Sequence, residues 1–140
     1  MEMLQKEKNM DCKFLHLSPN YILCGSSALE YMGYFAGYLS DPTIYVYTDH
    51  GTSIIPDPNI AVIPAHENLQ VNSRNGIRYT TFDQTINDML SNAELEDPQA
   101  LMEALNEYLY QYGYTDPRIT DQNTSKYLYY KERCADYYVN

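Results

Sequence analysis

Tryptophan is missing from this chain of 140 residues, and phenylalanine is scarce at three, against sixteen tyrosines. Aromatic burial therefore falls to a ring with a polar tip, which suits half-buried faces and interfaces. Cysteine is scarce too. Cys12, Cys24 and Cys134 are odd in number and lack a CxxC spacing, which argues against a disulfide framework and against a zinc site. Cys24 lies in an apolar run and is expected as a buried thiol, and the cytoplasm is the simplest compartment for such usage. No apolar run approaches the roughly 20 residues needed to span a bilayer. The first ten residues carry charges where a signal peptide needs an apolar stretch. Positive charge is also short: 9 Lys and Arg stand against 19 Asp and Glu, a net charge of −10. Phosphate backbones repel such a chain, so direct nucleic-acid binding is not expected. The acidic residues are dispersed and not in blocks, which reads as a solvated surface.

What remains is globular in composition, with 44% hydrophobic residues. The length fits one domain, and no internal repeat or linker divides it. Residues 1–18 read as a polar, loosely ordered segment and 19–140 as a single domain. Tyr21-Ile-Leu-Cys24 reads as a buried strand and Gly25-Ser26-Ser27 as the turn after it. Ser27 with Glu30 spells a capping box, opening a helix with Ala28, Leu29, Met32 and Phe35 on its stripe and Asp41-Pro42 at its end. Thr43–Thr48 is β-branched and aromatic, hence a strand. Asp49-His-Gly51 is a turn, Ile54-Ile55 a short strand and Asn59–Ile63 another. Leu69–Val71 and Ile77–Tyr79 form a hairpin through Asn75-Gly76. Thr81 with Gln84 is a second capping box, and Phe82, Ile86, Met89 and Leu90 give its helix an apolar face. Asp97-Pro98 starts the next helix, with Gly113 past its end. A last helix is expected from about Ser125 to Tyr138, with Tyr127, Tyr130, Cys134 and Tyr137 or Tyr138 inward. The order predicts an α+β fold. It has a mixed or mostly antiparallel sheet, a strand-turn-helix near the N-terminus, and three C-terminal helices gathered on one side or at one end.

The strand-turn-helix is where a nucleotidyltransferase holds phosphate, through backbone N–H groups and a hydroxyl at a helix N-terminus. Such an enzyme also needs two carboxylates at i and i+2 on the next strand to hold metal. Here that strand reads Ile44-Tyr-Val-Tyr47. Asp41 and Asp49 lie at its two ends, too far apart to share an ion. Gly25, Ser26 and Ser27 are thus a possible phosphate turn without a catalytic pair. His16, His50 and His66 sit in separate segments with no HxH or HxxxH spacing, so no metal site is expected, nor any cofactor. Ser26 and Ser27 lack the G-x-S-x-G pattern of a nucleophile elbow. Lys126, Lys131 and Arg133 share the last helix, but Glu132 and Asp136 dilute them.

Ile22-Leu-Cys-Gly-Ser-Ser-Ala-Leu-Glu-Tyr-Met-Gly33 resembles the G-x-S-A-L-x-x-x-G segment of AbiEi-type antitoxins, the antitoxin half of type IV toxin–antitoxin and abortive-infection systems. Gly76-Ile-Arg-Tyr-Thr-Thr-Phe-Asp-Gln-Thr-Ile-Asn-Asp-Met-Leu90 resembles a second segment of that family, with Thr81, Thr85, Asp88 and Leu90 on its recurrent positions. The resemblance covers roughly residues 20–112. It implies a non-enzymatic protein that counteracts a nucleotidyltransferase toxin, here as the antitoxin domain without the N-terminal winged helix. The family's usual arginine or lysine before Thr85 is Gln84 in this chain. Thr81 is expected to cap its helix, Thr85 to bond back to the preceding turn, and Asp88 to pair with Arg78 or cap a neighbouring element. The tyrosines toward the C-terminus, above all Tyr108, Tyr112, Tyr127 and Tyr130, either pack helices together or form a partner face. Two other readings stand beside the antitoxin: a degenerate nucleotidyltransferase-like nucleotide binder, and a small acidic inhibitor of a nucleic-acid enzyme.

Overall fold

A computed structural model describes residues 13–14, 17–48 and 57–135. The turn at 49–51, the strand at 54–55, Cys12, His16, His50, Tyr137 and Tyr138 lie outside the described residues. The elements are β1 (Tyr21–Leu23), α1 (Gly25–Met32), β2 (Ile44–Thr48), β3 (Ile60–Ile63), β4 (Val71–Arg74), β5 (Ile77–Thr80), α2 (Phe82–Ser91), α3 (Pro98–Gln111), a 3₁₀ turn at Asp121–Asn123, and α4 (Thr124–Cys134). The strands form one mixed sheet in the order β3-β2-β1-β5-β4. β1 pairs antiparallel with β2 and parallel with β5, β2 pairs parallel with β3, and β4–β5 is an antiparallel hairpin. The fold is α+β.

Strand alternation decides which side chain goes where. Ile22, Tyr47 and Ile63 enter the larger core, with Phe82, Ile86, Met89 and Leu90 of α2, Leu101, Ala104 and Leu105 of α3, and Tyr127 and Tyr130 of α4. Their neighbours Leu23 and Val46 enter a smaller core with Phe14, Ala28 and Tyr31. Phe14 is 0% exposed, and Lys13 meets Glu30 at 2.8 Å. The segment expected to be polar and loose therefore contributes a ring to the core. Phe14 packs edge-on against Tyr31, with centroids 5.5 Å apart.

Several local signals act as the sequence predicts. Asn75 and Gly76 both have positive φ, as a two-residue hairpin turn requires. Thr81 accepts a bond from the Gln84 N–H, and Asp97 accepts one from Ala100 with Pro98 in the first turn. Tyr127, Tyr130 and Cys134 face inward on α4, which ends at Cys134.

Other expectations fail for identifiable reasons. α1 stops at Met32 and not near Asp41. Gly33 adopts φ 89°, its N–H bonds to the Glu30 carbonyl, and the Tyr34 N–H bonds to that of Leu29. That is a complete Schellman ending, available because a glycine follows Met32. Phe35 is buried all the same, on an extended segment, with the Ala36 N–H on Glu103 at 2.6 Å. Ser27 is not a cap: α1 already runs from Gly25, and the residue before it, Cys24, has no capping side chain. Glu30 does not complete a box either, since its carboxylate goes to Lys13.

Candidate functional site

Gly25 makes the sharp turn from β1 into α1. Its φ is +56°, and a Cβ there would lie 3.1 Å from Leu95 Cδ2, so glycine alone fits without strain. Beside it, the ladder between β1 and β2 changes acceptor. The Cys24 N–H bonds to the Tyr45 carbonyl, and the Tyr45 N–H bonds to Ser27 Oγ at 2.8 Å. Ser27 thus serves as a rung of the sheet. Its hydroxyl oxygen is occupied by a half-buried backbone amide.

The space beside Ser26 and Ser27 is about 30 Å³, lined also by Lys13, Glu30, Asp41 and Asp97. That is room for about two water molecules. Three carboxylates surround it, and each has work elsewhere. Glu30 pairs with Lys13, Asp97 caps α3 and accepts the Tyr38 hydroxyl at 2.8 Å, and Asp41 accepts the Thr43 N–H. The bonds from Thr43 hold Asp41 below the usual carboxylate range. Among the described residues, no group of three His, Cys, Asp or Glu side chains could hold a metal ion. Cys24 is fully buried, and that burial pushes its thiol well up, away from nucleophilic reactivity.

The Thr81–Asp88 segment lies against the sheet. Thr85 is buried, and its hydroxyl bonds to the Thr81 carbonyl at 2.7 Å and meets the Thr80 hydroxyl at 2.6 Å. Asp88 does more than expected and with other partners. It accepts from the Tyr47 hydroxyl at 2.8 Å, from Gln84 Nε2 at 2.8 Å and from His66 Nε2 at 2.9 Å. Arg78, the partner expected for it, donates to the Pro19 carbonyl. His66 was the residue that spacing could not find, because its partners come from β2 and α2. Its other ring nitrogen, Nδ1, faces the Glu67 carbonyl at 3.0 Å. Two acceptors on one ring are both satisfied only by the imidazolium. Burial pulls His66 down, but the bonds to Asp88 and Glu67 and the Asp88 charge outweigh it and raise it above its ordinary value. His66 thereby ties its own loop to Asp88 of α2. Tyr47 is pushed up by burial and by Asp88, so its phenol stays neutral.

The four singled-out tyrosines divide into two pairs. Tyr127 and Tyr130 are buried, with their hydroxyls on Asp116 and Glu96 at 2.6 Å each. Lys131 joins Asp116, and Lys126 joins Glu96. These clasps tie α4 to the loops around it and leave no ring face for a partner. The Tyr130 and Lys126 bonds hold Glu96 below the carboxylate range, and the Lys131 and Tyr127 bonds do the same for Asp116.

Tyr108 and Tyr112 are different. Tyr108 stacks on Phe82 with centroids 4.1 Å apart and planes within 2°. Tyr112 leans on Tyr108 at 4.6 Å, and Tyr34 sits 4.8 Å from Phe82. Tyr112 is 49% exposed. These rings wall an open groove of about 370 Å³, completed by Arg74 and Asp83 and by parts of the β4–β5 hairpin. Tyr34 was not singled out in the sequence because it falls off the stripe of Ala28, Leu29, Met32 and Phe35 in the helix expected there. No helix of the described residues is long and apolar enough to cross a membrane. No family model matches this chain, and no curated protein matches it.

Proposed function

We propose that this chain is a non-catalytic, antitoxin-like protein that counteracts a nucleotidyltransferase toxin through surface contacts, in the cytoplasm of a cell carrying a bacterial or phage defence locus. The antitoxin reading rests on the resemblance across residues 20–112. One observation supports its non-catalytic side: four polar side chains of the resembling segments, Ser27, Thr81, Thr85 and Asp88, are occupied internally. Ser27 holds the Tyr45 amide, Thr81 caps α2, Thr85 bonds its own helix, and Asp88 gathers Tyr47, His66 and Gln84. A protein whose motif hydroxyls and carboxylate are committed in this way acts through what it shows outside, and the aromatic groove is an open concave surface that the singled-out residues help to build.

The test is co-expression with the product of the neighbouring gene, which this reading expects to be a nucleotidyltransferase toxin. Growth is expected to return, and persistent arrest with the chain soluble and folded would overturn the reading. Titration calorimetry with ATP and Mg²⁺ separates the rival. The antitoxin reading expects no heat, and saturable binding would turn the assignment toward a nucleotide binder.

A further inference from the structure

We infer that the groove walled by Tyr34, Phe82, Tyr108 and Tyr112 captures a basic side chain, lysine or arginine, presented by a protein partner. This deepens the reading above and rests on it for the partner being a protein. Aromatic ring faces are negative, and a cation within about 6 Å of a ring centroid is attracted to them. Tyr112 and the half-buried Tyr34 and Tyr108 turn toward the groove. Burial, the Tyr112 hydrogen bond and nearby charge, Glu107 included, push the Tyr34 phenol up, so it presents no ionised oxygen of its own. A carboxylate stands where a cation would want it: Asp83 is on the groove wall.

Among the described residues lining the groove there is one cation, Arg74, and its guanidinium is drawn to the Tyr31 side. Arg74 donates to the Tyr31 carbonyl at 2.6 Å and lies over the Tyr31 ring at 4.3 Å. The chain makes the same kind of contact again at Arg133 over Tyr129, 3.5 Å from the centroid. A nucleobase could also stack on these rings. Its phosphate would find one cation on the wall, Arg74, opposed by Asp83 and by a molecule of net charge −10, whereas the long-range field of that net charge steers a basic side chain in.

The probe is an acetylated, amidated tri-arginine peptide, followed by backbone NMR shifts at low ionic strength. Shifts are expected at Asn72, Asp83 and Tyr112. Tyr112→Ala and Asp83→Asn should each weaken binding about fivefold or more, while Tyr112→Phe, which keeps the ring, and Glu132→Gln, a carboxylate away from the groove, stay within about twofold. Thermal melts confirm that each variant is folded. The inference is overturned if shifts scatter over the acidic surface and Glu132→Gln weakens binding as much as Asp83→Asn. It is overturned equally if uridine monophosphate moves the groove amides and the peptide does not. Toxin rescue reads the parent proposal separately. Rescue without peptide capture sinks the groove alone, and capture without rescue sinks the antitoxin alone.

Discussion

The starts of α1 and α2 carry the same four-residue signature, Ser27 to Glu30 and Thr81 to Gln84, and only one of them caps a helix. At α2 the strand β5 runs to Thr80, Thr81 is still extended, and its side chain is free to accept the Gln84 amide. At α1 the chain has already turned at Gly25, so Ser27 arrives inside the helix. There it meets a sheet amide, that of Tyr45, which lacks a backbone partner. Neither box closes at its fourth position. Gln84 turns to Gln70 and Asp88, and Glu30 turns to Lys13. A capping signature therefore states what a hydroxyl can do locally. The nearest unsatisfied donor decides what it does.

The sharpest way to break this comparison is at the turn itself. Gly25→Ala places a Cβ in the left-handed region, which costs about 1–2 kcal/mol, and presses it on Leu95 at 3.1 Å, which adds about 1–3 kcal/mol. Urea denaturation should show a loss of about 3 kcal/mol. A loss below about 1 kcal/mol would mean that the turn is not what sets the start of α1. Next come the two hydroxyls. Ser27→Ala leaves a half-buried amide unpaired, for about 2 kcal/mol, whereas Thr81→Ala removes a cap, for about 1 kcal/mol. Equal or reversed losses would dissolve the distinction between rung and cap. The smallest effect concerns His66, which shares Asp88 with Gln84. Its folded pKa is raised, so its contribution is complete below the ordinary imidazole value and is lost as pH rises through the raised one. The side chain is 51% exposed, so the effect is modest. From about pH 6 to about pH 9 the wild type should lose slightly more melting temperature than His66→Gln. Parallel profiles would mean that the imidazolium is not what joins Asp88 to Glu67.

Much of the fold was legible because its signals are local. Asn75-Gly76 needs only its own backbone freedom to make a hairpin, Asp97-Pro98 needs only the next turn to start a helix, and Phe82, Ile86, Met89 and Leu90 repeat at helical spacing. The unread parts depend on distant groups. The parallel pairing of β1 with β5 leaves no trace in either strand. His66 gains meaning only beside Asp88 and Tyr47, which come from other elements. Phe14 is one ring in a charged segment, and no periodicity marks it. The aromatic groove was half visible. Tyr108 and Tyr112 lie one turn apart on the stripe of α3, but Tyr34 joins them only because Gly33 turns the chain back.

The central position of β1 has a consequence for how the chain is made. One neighbour, β2, follows it soon, but the other, β5, arrives only after β3 and β4. Until then β1 offers an open row of amides and carbonyls, the kind of edge that recruits other chains. Closing the distant pair restricts a long loop before any contact repays it. The β4–β5 hairpin closes on its own turn, so its docking on β1 is expected to be the slow step of folding. A chain halted in synthesis before Thr80 would be the most aggregation-prone form of this protein.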